Sequence, residues 1–154
     1  MNGLNSGGNQ KYLLTGATGF LGSHIMAGLL KRHERLVIFG RRSGSISLQE
    51  RIRKLLNWFN IGHLEELLEF YETDFMTNRL GLGKEEYDSL CSRGLAIIHC
   101  ASDTSFAEKN RGKIMRSNVE SLAEILNFAS RSRAAWFHFI STAFAAGIDS
   151  AECR

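Results

Sequence analysis

Proline is absent from all 154 residues, where average usage would supply roughly seven or eight; no function follows from that alone. Other gaps exclude more. No apolar run approaches the ~18 residues of a membrane span. Residues 1–10, MNGLNSGGNQ, lack the apolar centre of a signal peptide and read as a flexible lead-in. Cysteine is scarce and odd in number. Cys91, Cys100 and Cys153 show neither a CxxC nor a metal-ligand spacing, the usage of reduced thiols in a cytoplasmic protein with no metal site. A dominant charge is lacking too: the net charge is +3. The densest basic patches, Arg41-Arg42 and residues 131–133, are too short for a nucleic-acid surface. What remains is a globular composition, 44% hydrophobic and 23% charged, long enough for one domain with a real core.

Apolar periodicity alternates along the chain. Residues 11–15 read as a short strand. From residue 20 to 33, Leu21, Ile25, Met26, Leu29 and Leu30 recur at helical spacing. LVIF at 36–39 is a β-branched buried run closed by Gly40. Over 46–59, Ile46, Ile52, Leu55, Leu56 and Phe59 share one helical face, with Arg51, Arg53 and Lys54 opposite. A third strand spans 67–75 and ends near Asp74. A short helix follows at 84–91, then a buried strand at 95–102. Residues 113–130 form a long amphipathic helix, and WFHFIST at 136–142 a fifth strand. Continuous apolar strands separated by helical crossovers predict a Rossmann-like, doubly wound parallel α/β sheet of order 3-2-1-4-5 over residues 11–154.

The first strand runs into TGATGFLGSHI, residues 15–25. A GxxGxxG pattern alone is weak; between a strand and a helix it has the context of a dinucleotide site. Gly16 permits the tight turn, Gly19 lets backbone approach a pyrophosphate, and Gly22 lets helix pack close to strand. The helix then offers its unpaired amides and positive dipole end to the phosphates. A glycine-rich turn that binds nothing is the plain alternative. After the second strand, where a cofactor with a free 2′-hydroxyl meets a carboxylate, the chain has GRRS, residues 40–43. Arg41 and Arg42 can pair with a 2′-phosphate through their guanidinium forks, which favours NADP over NAD. Two solvated loop arginines are the competing reading.

TGATGFLG, then TDF, IIHCAS, SNVESLAEIL and FHFISTAF in that order, resemble the extended short-chain dehydrogenase/reductases. Within them the chain is most similar to the NADP-binding half of fatty acyl-CoA reductases and of the thioester reductase domains of carboxylic acid reductases and peptide synthetases. LQERIRKLL after GRRS, RLGLGKEEYDSL before the fourth strand, and the IIHCAS…F and ISTAF pairing favour that branch. The resemblance implies that Gly16, Gly19 and Gly22, with backbone around Thr18, Phe20 and Leu21, hold the pyrophosphate, and that Arg41, with Arg42 beside it, holds the 2′-phosphate. It implies that Asp74 and Phe75 flank the adenine, and that Cys100, Ala101 and Ser102 line the cofactor at the exit of the fourth strand. Asn118 matches the helix asparagine that supports the active site. Thr142, with Ser141 beside it, aligns with the catalytic hydroxyl that hydrogen-bonds the substrate carbonyl. Each has a structural alternative: Asp74 a strand-end turn residue, Asn118 a surface asparagine, Thr142 a β-branched strand terminus. His99 and His138, inside apolar strands, read as packed and hydrogen-bonded rather than catalytic, and Cys100 as a small hydrophobe.

One further absence bears on activity. Such reductases use a tyrosine and a lysine four residues later, as proton donor and its partner. Four residues beyond Tyr12, Tyr71 and Tyr87 stand Gly16, Phe75 and Cys91, so no YxxxK pair occurs. With the fifth strand left at a sheet edge, this reads as the N-terminal part of a longer reductase whose last strands and substrate part are missing. The expected function is NADP(H) binding for hydride transfer to an acyl thioester, on coenzyme A or a carrier protein, incomplete by itself; association through the exposed sheet edge stays open. A dinucleotide-binding module without catalysis is a second reading. An NAD(P)-dependent sugar epimerase/dehydratase or hydroxysteroid dehydrogenase fragment is a third.

Overall fold

Each strand of the sheet is short, and all pair in parallel. A computed structural model describes residues 11–102, 112 and 116–141; the lead-in at 1–10, Thr142 and Cys153 lie outside the described residues. The strands are β1 (Lys11–Thr15), β2 (Arg35–Gly40), β3 (Leu68–Glu72), β4 (Ala96–His99) and β5 (Phe137–Phe139). Their spatial order is β3-β2-β1-β4-β5, the order predicted from the alternation of strand and helix patterns.

Helices α1 (Phe20–Leu30), α2 (Leu48–Trp58), α3 (Lys84–Cys91) and α4 (Ser121–Arg131) supply the crossovers. Neighbouring strand residues face opposite ways, so the sheet feeds two cores. Leu14, Leu36 and Ile38 pack with Met26 and Leu30 of α1 and Ile52 and Leu56 of α2. Leu13, Val37, Phe39 and Ile97 pack on the other side with Tyr87 and Leu90 of α3 and Ile125 and Phe128 of α4. This two-faced burial is why the strands read as unbroken apolar runs rather than as alternating ones.

The elements are shorter than predicted: the first helix ends at Leu30, the third strand at Glu72 rather than near Asp74, and the fourth and fifth strands at His99 and Phe139. Leu21 is exposed although it continues the apolar pattern of α1. The helix expected from residue 46 starts after Ser47, whose hydroxyl accepts from the Glu50 amide while the Glu50 carboxylate accepts from the Ser47 amide. That capping box is legible as Ser-Leu-Gln-Glu; Ile46 instead forms an isolated bridge with Ser43. Of the helix expected over 113–130, the described part is a π-helical turn, Arg116–Glu120, followed by α4.

Two glycines set how closely the first crossover is wound. Gly16 has φ +72°, and a Cβ there would sit 2.6 Å from the Ala101 nitrogen and from the Cys100 carbonyl carbon. A Cβ on Gly22 would stand 2.2 Å from the Gly16 oxygen, so α1 lies against the end of β1 only because that side chain is missing. Gly22→Ala must push helix and turn apart, an overpacking cost of about 1–3 kcal/mol. The expected outcome is a clearly lowered urea midpoint with an unchanged m-value; an unshifted midpoint would contradict the close approach.

Candidate functional site

The strand order reverses between β1 and β4, and the loops leaving the carboxyl ends of β1, β2, β3 and β4 surround one open cleft of about 460 Å3. This crevice is where open α/β sheets bind ligands. Of the residues singled out from sequence, Gly16, Thr18, Gly19, Arg41, Asp74, Phe75, Cys100, Ala101 and Ser102 line it. Phe20 and Leu21 follow at the start of α1 with exposed side chains, leaving their backbone as the part next to the turn. Ser141 is exposed just past β5.

The floor of the cleft is built by a buried hydrogen-bond chain. The Thr15 hydroxyl lies 2.8 Å from His99 Nδ1 and accepts from the Ala101 amide at 3.2 Å. It thereby ties the exits of β1 and β4 together beside Gly16. His99 is 1% exposed, stacked near Phe137 and Phe139 and edge-on to Phe75. Burial lowers its pKa from 6.5 to about 4, so it is neutral and structural at physiological pH, in line with its reading as a packed histidine. His138 differs: it is exposed on the edge strand β5, because no further strand covers that position among the described residues. Burial pushes the Cys100 thiol up, which keeps it protonated and unreactive.

Beyond the floor, the Ser102 hydroxyl donates to Asn118 Oδ1 at 3.2 Å. Asn118 belongs to the π-helical turn before α4, so that turn is connected to the exit of β4. Asp74 accepts from the Met76 amide at 3.0 Å through Oδ1, the geometry of an Asx turn; it is at once a turn residue and part of the cleft wall. Thr73, next to it, is buried in the wall, and its hydroxyl has no hydrogen-bond partner among the described residues.

Arg51 is the residue the sequence reading did not assign to the site. It donates to Thr18 Oγ1 at 2.8 Å and to the Arg41 carbonyl at 2.9 Å, bridging the glycine turn and the loop after β2. Both acceptors are neutral, and it has no carboxylate partner among the described residues. Arg42, in contrast, is absent from the cleft lining and stands 3.7 Å from a Glu72 carboxylate oxygen. The signal for Arg51 was partial: it falls three residues after Leu48, on the same helix face, and Leu48 also lines the cleft.

Gly19 tests whether a dinucleotide fits. Its φ of −85° suits any residue, and a Cβ there would meet nothing closer than 3.4 Å. The fold therefore tolerates a side chain at Gly19, unlike Gly16 and Gly22, and the open position lies where α1 presents its N-terminus without a side-chain cap or an acidic residue in its first turn. A group that needs bare backbone and positive potential matches that combination.

Comparison with known proteins bears on the family and the fold. Residues 14–153 match the model of the NAD-binding family described as male sterility protein. A hybrid PKS-NRPS synthetase, LUC5, from Fusarium sp is 34% identical over 131 residues, covering 84% of this chain and 3% of that protein. The terminal R domain from the myxalamid PKS-NRPS pathway superposes with TM-score 0.77 at 30% identity, covering 90% of this chain and 36% of that one. The UDP-Glc/GlcNAc 4-epimerase from Campylobacter jejuni, at 21% identity and TM-score 0.66 over 90% of this chain and 39% of its own, shares the fold. The chain thus spans a small part of the synthetase and about a third of the reductase domain. No helix among the described residues is long and apolar enough to cross a membrane.

The neutral state of His99 has a measurable consequence. Between pH 6.5 and 4 the unfolded chain takes up a proton that the native state refuses, so stability is full above 6.5 and falls as pH drops. The total is about 3 kcal/mol. Glu50, held low by the Ser47 amide, and Glu65, held low by Arg53, lose stability only below the ordinary carboxylate range. Glu69, which burial raises but Arg93 and Lys11 bring down, behaves the same way. Urea midpoints of the native chain should therefore decline from pH 6.5 to 4.5, and His99→Gln should flatten that decline; an equal slope in the variant would refute the assignment.

Proposed function

The chain belongs to the NAD-binding family described as male sterility protein, and we propose that it is the NADP(H)-binding part of a reductase acting on an acyl thioester. The observation that carries the cofactor choice is the pair Arg41 and Arg51. Both line the cleft, Arg51 is held by neutral acceptors, and Asp74 is the one carboxylate among the described lining residues. Such an arrangement is suited to a 2′-phosphate, which a guanidinium engages more strongly than it does a hydroxyl.

Gly19 and the first amides of α1 would hold the pyrophosphate, with Gly16 and Gly22 setting the turn. Asp74 and Phe75 would flank the adenine. Cys100, Ala101 and Ser102 leave room at the exit of β4, and the Ser102–Asn118 hydrogen bond keeps that exit in register with the turn before α4. When bound, the reduced nicotinamide supplies hydride to a carbonyl carbon. Thr142 would donate a hydrogen bond to the carbonyl oxygen, drawing off the negative charge that builds there. The thioester substrate, carried on coenzyme A or on a carrier protein, is supported by the likeness to the myxalamid R domain and by the sequence resemblance to thioester reductases. Residues 1–10 are taken as a lead-in to this one domain, which works in the cytoplasm and whose open sheet edge offers a surface for association.

Titration of the purified chain, following nicotinamide fluorescence, should give a lower Kd for NADPH than for NADH. Arg51→Ala should weaken NADPH about tenfold or more, as expected for loss of charge-assisted bonds, while NADH changes little. Equal losses for both would refute the 2′-phosphate assignment. Gly19→Ala should abolish binding of both cofactors while the unfolding free energy from urea titration stays within about 1 kcal/mol of the native chain; intact binding would show that the turn does not carry the pyrophosphate.

A further inference from the structure

Glu72 ends β3 and pairs in register with Gly40 at the end of β2. Its Oε1 accepts from the Leu48 amide at the start of α2, at 3.1 Å, and its Oε2 stands 3.7 Å from Arg42 Nε. Gly40, Leu48 and Thr73, its immediate neighbours across and along the chain, all line the cleft. A carboxylate is thus anchored behind the part of the wall that carries Arg41 and Arg51, close to where an acidic residue elsewhere selects the unphosphorylated ribose. It reaches that place from β3 rather than from the end of β2, so inspection of residues 40–43 alone does not reveal it.

We propose that Arg42 acts as a specificity-determining residue without touching the cofactor: it neutralises Glu72, and so keeps a negative charge from opposing the 2′-phosphate. The inference rests on the NADP reading above. Arg42 and Glu72 are both largely exposed, at 59% and 42% of their side-chain surface, so the pair adds little to folding. Its effect is on the field at the cleft, where an uncompensated charge still acts across part of a Debye length. The Leu48 amide holds the carboxylate in place whether or not Arg42 is present, which is why removing the arginine exposes the charge rather than dispersing it.

A mutant cycle read by Kd separates this role from direct contact. Arg42→Ala should weaken NADPH roughly fivefold, the scale of one unit charge acting at partly solvated range, and leave NADH within twofold. Glu72→Gln keeps an acceptor for the Leu48 amide and removes the charge. In the Arg42→Ala background it should restore NADPH affinity to within about twofold of the native chain. The Arg42→Ala loss should also shrink at 0.5 M salt, as a screened charge effect must. A double variant as weak as Arg42→Ala would mean that Arg42 contacts the phosphate itself, and an unaltered Arg42→Ala would mean that Glu72 exerts no field there; either overturns the proposal while leaving the NADP reading intact. A native chain that does not prefer NADPH would remove the premise, and the native titration reports that separately. Thermal melts by circular dichroism, expected to be unchanged for this exposed pair, check that all variants are folded.

Discussion

The contact of α1 with the end of β1 is the constraint on which the site depends. Without side chains at Gly16 and Gly22, the helix starts within van der Waals range of the strand it follows, and the Gly16 turn also touches the exit of β4. Three pieces of backbone from different parts of the chain therefore converge at one point. The buried Thr15–His99–Ala101 hydrogen bonds secure that convergence from beneath. A cleft follows because the next strands run outward in opposite directions from this point, leaving no crossover helix above it.

Around that fixed floor, polar groups divide into those used by the fold and those left facing the cleft. Glu50 caps α2, and Glu65, Glu69 and Glu72 each engage a cation or an amide elsewhere. Thr18 and Arg51 join two loops of the wall, and the guanidinium so held brings positive charge without a balancing acid. Asp74 does two things at once, closing its own turn and bordering the cleft. The distribution leaves the cleft lined by two arginines against one aspartate among the described residues, in a chain that as a whole carries only +3.

Much of the fold was legible because its signals are local. Unbroken apolar runs at 36–39 and 95–102, helical periodicity between them, and a glycine turn after the first strand are properties of neighbouring residues, and together they carry the doubly wound pattern whose strand order is 3-2-1-4-5. The site was legible in part for the same reason: residues in the strand-end loops are bound to meet at the crevice. Arg51 was legible only in part, because its spacing from Leu48 fixes the helix face they share, while only its bonds to Thr18 and the Arg41 carbonyl show that this face meets the cleft. Arg42 could not be told from Arg41 by sequence, since adjacent loop residues share every local signal and only Glu72, thirty residues on, draws one of them aside.

The sequence by itself determined the parallel α/β sheet, its strand order and the glycine turn at the head of α1, since period, turn chemistry and steric allowance are set over a few residues. Only the tertiary structure decided which glycines serve the fold and which stands open, which arginines face the cleft, and that His99 is held neutral. Those distinctions come from atoms brought together by strand pairing and helix packing, at separations in sequence over which no local pattern carries information.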